Sequence, residues 1–254
     1  MPLHRLSRTE LLVGEAGLAV LARAHVAVIG IGGVGSYTVE ALARAGVGKL
    51  TLVDYDDICL TNVNRQLHAL SSTLGQAKVD VSAARVKEIN PDALVATHKC
   101  FMTAEAARSI LTSGLSYVVD AVDTVTAKLA IIIHCKEQGI PVVSCLGAGN
   151  KLDPTRFMVA DIAKTSICPL ARSVRKELGK RGYKSGVKVV YSEEVPRVPE
   201  ASSSDCARDC VCPGGDANCR RKRQIPGSIS FVPSVAGLIA AGVVVNDLLG
   251  LEQP

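Results

Sequence analysis

The sequence predicts an α/β fold of Rossmann-like type: a mostly parallel sheet with helices on both faces, and an elaborated C-terminal half with antiparallel strands. Three observations carry this expectation. Up to Gly147, short apolar runs rich in β-branched residues alternate with segments of helical periodicity, the pattern of a parallel sheet buried on both faces. A glycine-rich turn, Gly30-Ile-Gly32-Gly33-Val-Gly35, lies between the first apolar run and the first helix. Beyond Gly147 the alternation changes character, with two strand-like runs on either side of a helix.

Each element follows from its residues. The run 25–29 ends in Gly30 and reads as a buried strand. Val34, Tyr37, Thr38, Ala41 and Ala45 recur at helical spacing, and Gly46 and Gly48 should stop that helix before a second strand at 49–53. Residues 77–89 read as a helix ahead of Asn90-Pro91, 93–97 as a strand, 103–111 as a helix capped by Thr103, and 117–120 as a strand. A helix over 124–138 closes at Gly139, and a strand follows at 141–145. In the second half, 156–162 and 187–192 alternate like strands able to pair with each other. The helix between them, 169–181, starts with Pro169. It places Arg172, Arg175, Lys176 and Lys180 on one face and Leu170, Val174 and Leu178 on another. Residues 196–227 have no periodicity and read as a loop, and 234–249 as the last helix.

Composition limits the function classes. With 254 residues, 48% hydrophobic and 21% charged, the chain has a substantial core and is read as one domain, 1–254. Nine cysteines are too dilute for a disulfide scaffold, and the charged start lacks a signal-peptide apolar stretch, so a reducing, cytoplasmic setting is expected. The apolar run 231–245 carries Pro233 and is shorter than the roughly 20 residues a membrane span needs, so it reads as a core helix and no membrane span is expected. Thirteen Lys or Arg stand against seven Asp or Glu between Cys168 and Arg223, out of a whole-chain net charge of +5. The basicity belongs to the C-terminal half, which suits either a polyanionic partner or a solvated surface.

The glycine turn satisfies the G-x-G-x-x-G spacing between a strand and a helix, and an acid, Asp54, stands nineteen residues beyond Gly35. Such glycines let the backbone approach a phosphate at a helix start, and such an acid accepts hydrogen bonds from a ribose. The spacing alone does not separate a dinucleotide from ATP. Residues further on do: Asp54-Tyr-Asp56-Asp57, then Thr61-Asn62-Val63-Asn64-Arg65-Gln66, then Gly75-Gln76-Ala77-Lys78. A dehydrogenase has no reason to bring an Arg and a Lys to the phosphates. Adenylation of a carboxylate builds negative charge at the α-phosphate, which cations stabilise.

These motifs, in this order, resemble the ThiF/MoeB superfamily of ubiquitin-activating-enzyme-like adenylating enzymes, over about residues 5–147. The resemblance implies ATP and Mg2+ as cofactors. It puts Gly33 under the phosphates with Gly30, Gly32 and Gly35 shaping the turn, Asp54 on the ribose, and Thr61, Asn62, Asn64, Arg65 and Lys78 on the phosphates. Asp123, in Asp120-Ala-Val-Asp123-Thr124, resembles the family's magnesium ligand, so Arg65, Lys78 and Asp123 form the implied catalytic set. Asp56 either helps hold the site or caps a turn. The family's arginine that reaches into a partner subunit is best matched by Arg8, with Arg5 as second choice, which implies a homodimer.

The stretches 169–182, 189–196 and 227–237 resemble the tRNA threonylcarbamoyladenosine dehydratase branch of that superfamily. The implied activity is ATP-dependent cyclisation of the threonylcarbamoyl group on a tRNA adenosine. Residues 1–147 would then bind nucleotide and 148–254 the tRNA substrate, gripped by Arg172, Arg175, Lys176 and Lys180. Two alternatives stay open: an activator of a ubiquitin-like sulfur-carrier protein, and a nucleotide-binding partner protein without catalysis. Some relatives have sulfur-relay protein partners. Cys206, Cys210, Cys212 and Cys219, within a loop at about 200–224, either hold a zinc ion or form a reduced loop. Cys145 and Cys168 are the thiols placed for an acyl or persulfide role, with buried structural cysteine as the simpler reading.

Overall fold

A computed structural model describes residues 3–200 and 226–251 of the chain. Its strands are β1 (His25–Ile29), β2 (Lys49–Val53), β3 (Leu94–His98), β4 (Tyr117–Asp120), β5 (Val142–Cys145), β6 (Phe157–Asp161) and β7 (Lys188–Ser192). They form one seven-stranded sheet in the order β3-β2-β1-β4-β5-β7-β6. All neighbours run parallel except β6, which pairs antiparallel with β7 at the edge. The helices are α1 (Ser7–Arg23), α2 (Gly35–Ala45), α3 (Lys78–Ile89), α4 (Ala104–Ile110), α5 (Val125–Gln138), α6 (Pro169–Lys180) and α7 (Phe231–Leu249).

Side-chain alternation along the strands splits the core into two layers. Val26, Val28, Leu50 and Leu52 pack on one face with residues of α2, α3 and α7. Ala27, Ile29, Val53 and Val118 pack on the other with α4 and α5. Central strands apolar on both sides are what a parallel sheet covered twice requires. A third cluster joins Leu129 and Ile132 of α5 to Val174 and Leu178 of α6 and Val189 of β7. It anchors the C-terminal half to the same sheet.

The expected strands and helices form with ends shifted by a residue or two, apart from the last helix. Thr103 caps α4, its hydroxyl accepting from the Ala106 N–H at 3.1 Å. Two features go beyond the sequence reading. α1 was assigned no element; it is a helix interrupted at Gly14. β7 pairs with β5 as well as with β6, so the antiparallel pair extends the parallel sheet.

α7 starts three residues earlier than expected, at Phe231, with Pro233 in its first turn, where the missing N–H would have had no helical acceptor. Val232, Ala236, Ala240, Val243 and Val244 are buried against the sheet and α2, so the one helix among the described residues that is apolar and long enough to cross a membrane packs in the core. At the crossing of α2 and α7, the Thr38 hydroxyl donates to the Gly237 carbonyl at 3.0 Å, and a Cβ on Gly237 would overlap the Val34 carbonyl. At its far end, Asp247 accepts from the Tyr117 hydroxyl and from Lys188 Nζ, each at 2.7 Å. Burial and the Asp247 charge together push the Tyr117 phenol pKa up. Gly237→Val should therefore part α7 from α2 and lower stability by about 1–3 kcal/mol. Urea unfolding checks this; an unchanged midpoint would mean the two helices do not cross this closely.

Candidate functional site

The sheet order reverses between β1 and β4: the chain passes from β1 out to β2 and β3, then returns to β4 and continues to β5 on the other side. Crevices for ligands open beyond the strand ends at such a point, and here a cavity of about 730 Å³ opens. The glycine turn forms its floor. The Gly30 carbonyl occupies the place a Cβ on Gly35 would need, so the turn folds tightly onto the start of α2. Gly30, Gly32, Gly33 and Val34 line the cavity.

The carboxylate at the end of β2 is locked in place. Asp54 accepts from the Ile31 N–H at 2.6 Å and from the Asp56 N–H at 2.9 Å. Burial raises its pKa against the opposing pull of Lys78 and these two amides. Lys78, first residue of α3 and only 4% exposed, reaches Asp56 Oδ2 at 2.6 Å, while its own N–H donates to the Asp56 carbonyl at 3.2 Å. Asp56 therefore holds the ammonium at the cavity wall.

The segment after Cys59 supplies the next wall. Asn62 turns inward and accepts from the Cys59 N–H at 3.1 Å. Arg65 Nη1 donates to the Thr61 carbonyl and to Asn64 Oδ1, at 2.8 and 2.9 Å, and Asn64 Nδ2 donates to the Ser228 carbonyl at 2.9 Å. Burial lowers the Arg65 pKa, and among the described residues no carboxylate pairs with it. Gln66 Oε1, also at the cavity, is buried with no hydrogen-bond partner among the described residues.

Below Asp123 lies a fully buried network. Lys128 Nζ donates to Asp120 Oδ2 at 3.1 Å, to Ser144 Oγ at 3.3 Å and to the Cys145 carbonyl at 2.7 Å. Asp120 Oδ1 accepts from the Val122 N–H at 3.2 Å. This fixes the 121–124 loop that carries Asp123 into the cavity. Burial pushes the neighbouring Cys145 thiol up to about 12, so it stays protonated and suits a structural place better than an acyl or persulfide one.

Of the residues singled out in the sequence, Gly30, Gly32, Gly33, Asp54, Asp56, Thr61, Asn62, Arg65, Lys78 and Asp123 meet at this cavity. Gly35 lies behind the turn, Asn64 stands outside the lining and accepts from Arg65, and Arg8 is exposed on α1, outside the cavity lining of its own chain. On α6, Arg172 and Lys176 point to solvent. Arg175 instead turns onto Thr165, donating to its hydroxyl at 2.6 Å, and Lys180 pairs with Glu177; the basic ridge is narrower than its spacing implied. Cys206, Cys210, Cys212 and Cys219 lie outside the described residues, among which no group of three or more His, Cys, Asp or Glu could hold a metal. Asn150 and Lys151 also line the cavity and are not among the residues singled out in the sequence. No periodicity marks them; the signal was a polar pair directly after the glycine-rich end of β5.

The ThiF family profile matches residues 6–254. The chain is 49% identical over 248 residues to a tRNA threonylcarbamoyladenosine dehydratase of Bacillus subtilis (strain 168), covering 97% of this chain and 95% of the relative. A protein of the same name from Escherichia coli (strain K12) is 42% identical over 219 residues, 83% of this chain and 81% of the relative. A crystal structure of the E. coli enzyme TcdA in complex with ATP superposes with a TM-score of 0.83 at 36% identity, covering 97% and 94% of the two chains.

His68, three residues beyond Arg65, is 3% exposed and lies beside Ser36, Ser82 and Arg85. Neither ring nitrogen has a partner among the described residues. Burial, aided by the Lys78 charge, lowers its pKa from 6.5 to about 4. Between those values the unfolded chain binds a proton that the folded chain refuses, so stability falls as pH drops through this window, by about 3 kcal/mol in all. His68→Leu should flatten that acid limb in pH-dependent urea titrations. An equally steep limb in the variant would assign it to other groups.

Proposed function

The chain belongs to the ThiF family, and on that premise we propose that it is an ATP-dependent dehydratase that cyclises threonylcarbamoyladenosine in tRNA. The observation that carries the reading is a cavity built jointly by both halves of the chain. Cations and bare backbone of the N-terminal half line it together with Lys151, Pro169 and Ser228 of the C-terminal half. A nucleotide and a second substrate thus have room in one chamber, and the likeness to the dehydratases extends over nearly the whole chain.

The donor set suits ATP. The amides of the glycine turn and the start of α2 suit its phosphates, and the locked Asp54 carboxylate suits ribose hydroxyls. Arg65 and Lys78, supported by Thr61, Asn62 and Asn64, are placed to stabilise charge building at the α-phosphate. Asp123 would hold a magnesium ion, which would supply further positive charge there.

The reaction runs in two displacements. An oxygen of the threonyl carboxylate attacks the α-phosphorus, the bond to the β-phosphate oxygen breaks and pyrophosphate leaves. The ureido oxygen then attacks the activated acyl carbon, AMP leaves with the bonding electron pair, and a ureido N–H loses its proton as the oxazolone closes. Both nucleophiles belong to the substrate, so the protein's part is to align them, where effective molarity is high. Arg172 and Lys176 on α6 are offered to the tRNA backbone. The protein acts as a homodimer in the cytoplasm, each Arg8 completing its partner's site.

Purified protein given ATP and tRNA carrying threonylcarbamoyladenosine should shift that nucleoside by the loss of one water in mass spectrometry, with AMP formed in equal amount; an unchanged nucleoside contradicts the reading. Lys78→Ala should fold normally and lose at least about 100-fold in pyrophosphate release, the scale seen when one charge-stabilising donor is removed. Replacing Arg172 and Lys176 with Ala should weaken tRNA binding and reduce its log–log salt slope by somewhat under one unit per contact, leaving ATP affinity intact. An unchanged slope would return α6 to a solvated face.

A further inference from the structure

Three lysines are buried near the strand ends, and they are not alike. Lys78 has Asp56 and Lys128 has Asp120 at ion-pair distance. Lys151 is 3% exposed, yet its only hydrogen bond among the described residues goes to the Glu194 main-chain carbonyl at 2.7 Å. Among the described residues no carboxylate pairs with it. The Glu194 carboxylate is turned away, accepting from the Leu152 and Asp153 N–H groups at 2.9 and 2.8 Å. A buried ammonium with a carboxylate nearby but none at ion-pair distance is only partly compensated, and an anion that comes to it is favoured. Lys151 lines the main cavity, so the anion can come from a ligand.

Its surroundings fix its place and sharpen its preference. Asn150, held at φ 59°, exchanges hydrogen bonds with Gly227: its N–H donates to the Gly227 carbonyl at 2.8 Å, and its Oδ1 accepts from the Gly227 N–H at 2.6 Å. The Arg197 N–H donates to the Asn150 carbonyl at 2.8 Å. Three chain segments are thus tied at the residue beside Lys151. The same part of the wall receives the start of α6, where Cys168, Pro169 and Leu170 line the cavity, adding the partial positive charge of a helix N-terminus. Across the sheet, the order β2, β1, β4, β5 presents in turn Asp54, the glycine turn, Asp123 and the loop with Lys151. The lysine therefore lies beyond the phosphate region, on the side away from the ribose acid.

We propose that Lys151 binds the carboxylate of the amino-acid group carried by the substrate nucleoside, holding it for attack on the α-phosphate. This rests on the dehydratase reading and assigns that site its acyl end. One carboxylate oxygen takes the ammonium while the other is left for phosphorus. After AMP transfer the same ammonium faces the acyl oxygen, where ring closure builds negative charge. Burial lowers the Lys151 pKa, with Cys168 and Glu194 opposing, and a bound carboxylate would oppose it further.

The test compares two ligands without ATP, so that no turnover occurs: a tRNA anticodon stem bearing threonylcarbamoyladenosine, and the same stem with the carboxylate as its methyl ester. Wild-type protein should bind the acid more tightly than the ester by about tenfold or more, the worth of one charge-assisted hydrogen bond. Lys151→Met should bind both at the ester's level, and Lys151→Arg should keep a preference for the acid. ATP affinity should not change in either variant. A purely structural role would weaken both ligands alike and leave the ratio intact, and that result overturns the proposal, as does a wild-type protein without acid preference. If Lys151→Met does not fold, Lys151→Gln is measured for the same ratio. Failure of wild-type protein to cyclise the free acid with ATP would instead remove the dehydratase reading, which separates the two outcomes.

Discussion

A single close approach sets the geometry on which the site depends: the Gly30 carbonyl stands where a side chain on Gly35 would be. Only with both positions bare can the chain leave β1, reverse within a few residues and enter α2 with its first turn over the strand ends. The same reversal presents the Ile31 amide to Asp54, which ties the end of β2 to the end of β1. α7 then seals the arrangement from above, since a Cβ on Gly33 would meet Pro233 at 3.2 Å. The cavity is what remains between these fixed surfaces.

Charge around the cavity is divided between pairs that hold shape and cations kept for ligands. Lys128 and Asp120, fully buried, share Ser144 and the Cys145 carbonyl. Such a pair adds little net stability over apolar packing but fixes geometry once every group is satisfied; here it fixes the loop of Asp123. Lys78 and Asp56 are intermediate, because Asp56 is partly exposed and an incoming phosphate can compete for the ammonium. Arg65, partly buried, and Lys151, buried, hydrogen-bond only to neutral groups among the described residues. Their placement suits Arg65 to a phosphate and Lys151 to a carboxylate, the two anions an adenylating reaction brings together.

Much of this was legible in the sequence because the signals were local. The strand at 25–29, the glycine spacing and Asp54 follow from adjacent residues, and Thr61 to Arg65 and Lys78 follow from motif order. Thr103 was legible as a cap from one side chain and its neighbours. The rest depended on contacts between distant segments. Nothing near Arg175 in sequence says that it will turn onto Thr165, and Lys180 finds Glu177 by a choice of rotamer. Lys151 became informative only when Glu194, forty-three residues away, proved to offer it a carbonyl and not a carboxylate. α1 went unread because Gly14 breaks its periodicity, and β7 was paired with β6 but not with β5 because alternation gives faces, not neighbours.

The central claim is that the substrate carboxylate, and not a hydroxyl or water, attacks the α-phosphate in this cavity. The most direct measurement follows heavy oxygen placed in the threonyl carboxylate of the tRNA-bound nucleoside through a single turnover with ATP. The account predicts that each cyclised nucleoside leaves one labelled oxygen in the AMP released and none in pyrophosphate. Label-free AMP, or label found in inorganic phosphate with ADP as the nucleotide product, would contradict it.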